Sequence, residues 1–225
     1  MYLQLFPMDI QDIRDALSDS NPQIRMKGVR ELRNYETEVA APLLLDHTKD
    51  EEFLVRSFVA MGLGRKRSLE AFSALLEMID SDGDPNVRSE AANSLSYYGD
   101  SAIPHLRKMF ERDSHWLIRR SIIAAIADLK APQELLEICS IGLSGDDEPV
   151  MESCVSCLGM FPNTEQQETA LNLLLPLIDD ESWRIRVQVA RALGKYDEQK
   201  ATDALNKLKT DENHHVVAAV LESLL

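Results

Sequence analysis

Apolar residues return along this chain in a pattern that repeats seven times. The reference point, position zero, is an arginine that follows Ile or Val in five copies, while Met151 and Val217 fill the slot in two more. The steps between copies are 31, 32, 31, 32, 35 and 31 residues. Position minus one is always Ile or Val, and position plus seven is always Leu or Ile. These spacings draw one apolar stripe along a helix, so each copy predicts an amphipathic helix. The five arginines are Arg25, Arg56, Arg88, Arg119 and Arg186.

Each of these helices has a recognisable start. Position minus four holds mostly residues that cap helices, such as Asn21 and Asp84, and position minus six is Asp in six of the seven copies. A carboxylate there favours the positive end of the helix dipole. It is also placed to accept hydrogen bonds from the position-zero arginine of its own or of a neighbouring repeat. The six residues are Asp19, Asp50, Asp82, Asp113, Asp180 and Asp211.

A second apolar segment precedes each of these helices. "LEAFSALLEMI" (69–79) and "TALNLLLPLI" (169–178) are clear examples, and no strand pattern competes with them. Each period is therefore a helical hairpin, and hairpins of about 30 residues stack into a solenoid. The prediction is an all-α fold, an α-solenoid of about seven helical hairpins that forms a single domain over residues 1–225.

An Asp turn followed by "VRSEAANSL" (87–95) or "IRVQVARALG" (185–194) resembles the HEAT repeat, and its short form is similar to the phycobilisome-lyase-type HEAT repeats of cyanobacteria. Met151 and Val217 depart from the pattern, so any Asp–Arg ladder is expected to be interrupted there. The resemblance implies three roles: attaching or removing bilin on phycobiliproteins with a partner subunit, phycobilisome turnover, and assistance to iron–sulfur carriers. It also implies a bilin or an iron–sulfur cluster as the alternative cofactors.

Composition narrows the class of partner. The chain has 44% hydrophobic and 28% charged residues, which is typical of a folded soluble protein. Its net charge of -14 disfavours a general nucleic-acid binder, because phosphate backbones would be repelled. There is no transmembrane run or signal peptide, and three cysteines do not suggest a disulfide framework. We therefore expect a cytoplasmic protein whose partners are proteins, without a membrane span.

Charge is distributed unevenly between the predicted helices and the rest of the chain. The seven windows from minus one to plus eight carry a net charge of +6, and the other 155 residues carry -20. In a solenoid of this kind the second helices line the concave face, which predicts a modestly basic groove for an acidic protein surface or the propionates of a bilin. The position-zero arginines are interpreted as structural. The better candidates for contact are Lys27, Arg30, Arg33, Arg120 and Arg191.

Aromatic residues add to this surface. Tyr97, Tyr98, Trp116 and Trp183 lie at or near the ends of the second helices, where they either bind a partner or fill the core between hairpins. Both interpretations stay open. The predicted binding residues of the concave face are Arg30, Arg33, Tyr97, Tyr98, Arg120, Trp183 and Arg191.

A C-x-x-C pair, Cys154 and Cys157, suggests metal or redox chemistry, and Cys139 lies on the partner helix of the same hairpin. The repeat register favours a structural role, because most other copies hold small or apolar residues at these slots. Iron–sulfur ligation is the alternative. No constellation for acid–base catalysis is present, so the leading prediction is a non-catalytic scaffold or adaptor related to phycobiliproteins. The alternatives are an iron–sulfur accessory protein and a bilin lyase subunit.

Overall fold

The computed structural model describes residues 8–223, and its regular structure over this range is helical, without strands. The α-helices are α1 (Ile10–Leu17), α2 (Pro22–Glu31), α3 (Thr37–Leu45), α4 (Phe53–Lys66), α5 (Leu69–Ser81), α6 (Pro85–Leu95), α7 (Ile103–Arg112), α8 (Trp116–Asp128), α9 (Pro132–Leu143), α10 (Glu148–Leu158), α11 (Gln167–Leu174), α12 (Trp183–Leu193), α13 (Gln199–Leu208) and α14 (His214–Ser223). Short 3-10 helices cover Leu32–Asn34, Ser96–Ala102 and Leu175–Asp179. Over residues 8–223 the prediction of an all-α fold built from helical hairpins is confirmed.

The chain divides into two compact units, with the boundary between Ala125 and Ile126. In unit 1 the second helices α2, α4 and α6 pack on one another in succession, and the first helices α3, α5 and α7 do the same. In unit 2 the second helices α10, α12 and α14 form the corresponding layer. Each unit is thus a two-layer stack of hairpins. A single domain over residues 1–225 stays a prediction.

The repeat register identifies the core. All six described residues at position plus seven are completely buried. Position minus one is buried in six copies, and Ile24 is the exception at 38% exposure. Ile24 belongs to the first hairpin, which has no preceding hairpin among the described residues to pack against. The plus-seven residues are Leu32, Leu63, Leu95, Ile126, Leu158 and Leu193, while Leu224 lies outside the described residues.

The position-zero arginines form a ladder along the turns. Arg25 donates from Nε and Nη2 to the two carboxylate oxygens of Asp50 in the following repeat, at 2.7 and 2.8 Å. Its Nη1 donates to the carbonyl of Asp19 in its own repeat, at 3.0 Å. Both ion-paired side chains are less than 10% exposed. The same contacts recur for Arg56 with Asp82 and Asp50, Arg88 with Asp113 and Asp82, and Arg186 with Asp211 and Asp180.

The Asp at position minus six has a second task. In all six copies its Oδ1 accepts a hydrogen bond from the backbone N–H two residues later, which closes the turn before the helix. Burial is the largest single effect on Asp50 and Asp82 and raises their pKa, but the hydrogen bonds and charges of Arg25 and Arg56, together with the backbone N–H that closes each turn, outweigh it and hold the pKa of both carboxyls below the usual value. The Arg186 guanidinium lowers the pKa of Asp211 in the same way. These carboxylates therefore stay charged inside the turn.

Second helices approach each other closely at their C-terminal ends. A Cβ on Gly64 of α4 would lie 2.7 Å from the Cβ of Ser94 on α6. In unit 2 a Cβ on Gly194 would lie 2.3 Å from the Cβ of Ser223 on α14. At these two contacts the residues at positions plus six and plus eight are small because two backbones meet there.

Across residues 8–223, no helix has both the length and the apolar content needed to cross a membrane.

Candidate functional site

The ten basic residues of the second-helix windows fall into two structural classes. The position-zero arginines lie in the turns, where Arg25 and Arg186 are buried and four of the five pair with an Asp. The other class is exposed to solvent. Its members are Lys27, Arg30, Arg33, Arg120 and Arg191.

Arg30 and Arg33 meet at a pocket of about 130 Å³ in unit 1. It lies between α2 and α4, and its apolar walls include the half-buried side chains of Phe58 and Met61. The buried side chains of core residues form the rest of the apolar lining. The complete lining is Val29, Arg30, Leu32, Arg33, Leu44, Phe58, Met61, Gly62, Arg65 and Lys66. We call this the unit 1 pocket.

Four cations and no carboxylate line the unit 1 pocket. Arg30, Arg33 and Arg65 are exposed, and none of them makes an ion pair within the part of the chain that the structure describes. Outside the lining, Glu90 on the next second helix is close enough to Arg65 for their charges to interact, although burial has the larger effect and raises the pKa of that carboxyl. The lining itself therefore presents positive charge around an apolar floor.

Lys66 is held in place by the backbone. Its Nζ donates to the carbonyl oxygen of Tyr35 and, at 3.3 Å, to that of Arg33. The hydroxyl of Thr37 in turn donates to the Lys66 carbonyl at 3.0 Å. Burial lowers the pKa of the Lys66 ammonium, Glu36 opposes that shift, and Arg65 adds to it. This cation is thus fixed at the end of α4, between two successive repeats.

Tyr98 occupies position plus ten, a recurring structural slot. Its hydroxyl donates to the carbonyl of Leu63 at 3.1 Å, and its ring packs edge to face on Phe72. Tyr196, ten residues after Arg186, donates likewise to Leu158 at 2.6 Å. Burial raises the pKa of Tyr98 to about 12. Of the two interpretations of Tyr98, these contacts favour a role in packing consecutive hairpins.

Trp183 and Arg191 line a larger pocket, of about 300 Å³, in unit 2. It lies along α12 and α14, and two acidic residues contribute to its wall. The complete lining is Glu152, Trp183, Arg184, Val187, Gln188, Arg191, His215, Ala218, Ala219 and Glu222. We call this the unit 2 pocket.

Both arginines of the unit 2 pocket lie near a carboxylate. Arg191 lies 3.7 Å from the carboxylate of Glu222, and Arg184 lies 3.8 Å from that of Glu148. The ring of Trp183 is already stacked on His215, with centroids 5.0 Å apart. The side chains that would contact a partner here are engaged with each other.

Tyr97 and Arg120 line neither of these two pockets. Tyr97 is half exposed at the end of α6, and Arg120 lies with its guanidinium 5.8 Å from the ring of Trp116. The predicted contact residues are thus distributed over both units, with Arg30 and Arg33 as one adjacent pair. Their role in binding stays a prediction.

Sequence reasoning missed Arg65 and Lys66, which complete the unit 1 pocket. They lie at positions plus nine and plus ten, beyond the window that ended at plus eight. Helix α4 extends to Lys66, whereas α2 ends at Glu31 and continues as a 3-10 turn. The run "MGLGRK" (61–66) lacks proline, but its two glycines are poor helix formers, so little in the sequence indicates this extra turn of α4.

The three cysteines lie together in the hairpin of α9 and α10. Cys139 and Cys154 are fully buried, and the Sγ of Cys139 donates to the Cys154 carbonyl at 3.7 Å. Contacts with the thiols of Cys154 and Cys157, together with burial, raise the pKa of Cys139. The hydrogen bond with Cys139 lowers the pKa of Cys157, which is half-buried. These thiols pack as small core residues between the two helices.

Between residues 8 and 223, no three His, Cys, Asp or Glu side chains are arranged to hold a metal ion. The cysteine cluster is included in that statement, since all three thiols are described. Iron–sulfur ligation by this chain stays a prediction, and it would require ligands from elsewhere.

Comparison with known proteins agrees with the repeat architecture. The chain is similar over 96% of its length to a protein of Escherichia coli, YibA, with 14% identity, a TM-score of 0.62 and 92% of that chain covered. It is also similar to the complex of CpcE and CpcF of phycocyanin lyase from Nostoc sp. PCC7120, with 18% identity and a TM-score of 0.55, over all of this chain and 90% of that one. At these identities the likeness concerns the fold alone.

Curated proteins give no match. The family described as HEAT repeats matches residues 48–127 and 135–225, which is most of the chain. The chain belongs to the HEAT repeat family.

Proposed function

We propose that this protein is a scaffold or adaptor that binds a partner protein through the exposed face of its second helices, above all at the unit 1 pocket. The observation that carries the proposal is the convergence of four cations around Phe58 and Met61, without a carboxylate in the lining. HEAT repeats suggest protein partners, although the fold alone does not name one.

The contact chemistry of this pocket is that of a protein interface. Interface energy concentrates in arginine and large apolar side chains that lose their water on binding. Arg30, Arg33 and Arg65 are exposed and make no ion pair within the described range, so a partner carboxylate would not have to displace an internal one. Four of the five position-zero arginines cannot offer the same contact, because their guanidinium groups already bind an Asp carboxylate of the fold.

Phycobiliproteins are the partner class that we propose to test first. The sequence resemblance to phycobilisome-lyase-type repeats and the similarity in fold to CpcE and CpcF of phycocyanin lyase support this choice. The test immobilises this protein and measures binding of purified phycocyanin, with and without its chromophore, by biolayer interferometry. We expect micromolar or tighter binding of at least one form, and no binding of either form would reject this partner class.

A matched pair of variants tests the binding face. Arg30→Glu with Arg65→Glu should weaken binding by more than about tenfold, because two contacts become repulsive. Arg184→Glu with Arg191→Glu makes the same charge change in unit 2 and should weaken it less than about threefold. Equal loss in both variants would contradict a special role for unit 1. A chromophore that becomes covalently attached in the same mixture would instead assign a lyase subunit.

A further inference from the structure

We propose that the unit 1 pocket binds a short acidic segment of a partner protein, with one Leu or Phe side chain inserted between Phe58 and Met61 and flanking Asp or Glu residues paired to Arg30, Arg33 and Arg65. This inference rests on the proposed scaffold function and specifies the ligand of its site.

The size and lining of the pocket fit one apolar side chain. Its volume is about 130 Å³, and its floor combines the half-buried Phe58 and Met61 with buried core residues. For scale, an apolar cavity of about 150 Å³ holds one benzene ring. An aromatic or branched side chain therefore fills the pocket, whereas a bulky helix does not enter it.

The arginines around the pocket determine the charge of the partner residues that flank the inserted side chain. Arginine binds carboxylates through two parallel N–H···O bonds, so each exposed arginine can select one Asp or Glu. Lys66 is already hydrogen-bonded to two carbonyls and adds a fixed positive charge rather than a new contact. The preferred segment therefore carries about three carboxylates close to its anchor residue.

Because of the net charge of the protein, binding of an acidic peptide is a strict test of the proposed site. At -14 the chain attracts basic peptides and repels acidic ones at long range. Binding of an acidic peptide is thus opposed by the overall negative charge of the protein and requires a local cationic site. The same field opposes a long polyanion such as a nucleic acid, whose charges extend far beyond one pocket.

The test uses the full chain and a fluorescein-labelled peptide of about ten residues. In this peptide one Phe lies at the centre of Asp and Glu residues, and binding is measured by fluorescence anisotropy. We expect saturable binding that weakens about tenfold when the peptide Phe becomes Ala, since a buried aromatic anchor is worth that much. A nucleic-acid probe, single-stranded DNA of similar charge, should not bind. Preference for the DNA would overturn the inference.

Matched variants locate the peptide. Arg30→Ala with Arg65→Ala should weaken binding at least about tenfold. Lys27→Ala removes an exposed cation of the same helix that does not line the pocket, and should change it less than about twofold. Met61→Gln, which leaves the charges intact, should also weaken binding and so test the apolar floor. Urea unfolding confirms that each variant folds. Binding that is insensitive to both pocket variants would refute the inference.

The two proposals fail differently. If phycocyanin or another purified partner binds and loses affinity with the Arg30→Glu and Arg65→Glu pair, yet the peptide does not bind, the scaffold stands and the anchor-and-carboxylate ligand is wrong. If the peptide binds as expected and phycocyanin does not, the ligand chemistry stands and the partner class is wrong.

Discussion

The two units use the same repeat but differ in where their arginines find partners. In unit 1 the turn arginines Arg25, Arg56 and Arg88 each pair with an Asp of the next repeat, whereas Arg119 donates to the Asp113 carbonyl of its own repeat. The cations of the unit 1 pocket make no ion pair in the described range. In unit 2 the ladder is interrupted, and the pocket arginines pair with acidic neighbours instead. An arginine that forms no ion pair within the fold remains available to bind a carboxylate of a partner.

The interruption in unit 2 arises from two substitutions in one repeat. Met151 stands at position zero and Gly145 at position minus six, so this repeat offers neither the donor nor the acceptor of the ladder. Within the described residues of unit 2, the Arg186–Asp211 pair is the ladder contact that remains. A repeat can therefore fold without the ladder, because its core positions Val150 and Leu158 are still completely buried.

Breaking the ladder in unit 1 should have the largest effect on stability. Arg25→Met copies the residue of the fifth repeat, but it leaves Asp50 buried with its charge uncompensated. We expect a loss of about 3 kcal/mol in the free energy of unfolding, measured by urea denaturation. Adding Asp50→Asn should recover part of it. A loss below about 1 kcal/mol would mean that the ladder is not a stabilising element.

Completing the ladder in unit 2 should have a smaller effect of opposite sign. Met151→Arg places a guanidinium in the repeat that precedes Asp180, whose Oδ1 already closes its own turn. We expect a gain of about 1 kcal/mol, the size of one partly exposed charge-assisted hydrogen bond. Met151→Leu is the control for side-chain packing, and equal unfolding midpoints for the two variants would show that the slot cannot form the contact.

The pH dependence of stability distinguishes the carboxylates of the ladder from carboxylates with an ordinary pKa. Because the pKa values of Asp50, Asp82 and Asp211 are lowered in the fold, their contribution is present above the unfolded pKa of about 3.9 and is lost as the pH falls through the folded values. We expect urea midpoints to drop between pH 5 and pH 3. In Arg25→Met this drop should be shallower, and an unchanged slope would contradict the assignment.

The cysteine cluster should affect stability through packing alone. Cys139→Ala and Cys154→Ala are expected to cost about 1 kcal/mol each, because each removes one buried sulfur atom. Anaerobic incubation of the wild type with iron and sulfide is expected to leave the visible spectrum unchanged. A stable absorbance band that disappears in Cys157→Ala would instead support the iron–sulfur interpretation.

The fold was predictable from the sequence because one register determined both helix faces. Position plus seven identified buried residues without error over the described copies, and position minus one failed only at Ile24. The sequence indicated less clearly which Asp each arginine of the ladder binds. Whether Arg25 would bind Asp19 or Asp50 depends on how successive turns stack, and the structure shows that it binds the carbonyl of the first and the carboxylate of the second.

The binding role of the site stays a prediction, and sequence reasoning named only some of the residues that line the unit 1 pocket. Arg30 and Arg33 were predicted as contact residues, but sequence periodicity does not indicate that Arg65 lies beside them. That depends on the length of α4, whose last turn is stabilised by contacts from Thr37 and Tyr35 about thirty residues earlier. Arg191 was also identified, but its partner Glu222 comes from the following repeat and becomes visible only once α12 and α14 are packed.

Hydrogen–deuterium exchange with and without the acidic Phe peptide tests the central claim most directly, because it reports where the ligand binds. The account predicts slower exchange in the last turns of α2 and α4, around Arg30 and Arg65, with α12 and α14 unchanged. Protection of α12 and α14 around Trp183, with none in α2 and α4, would contradict it.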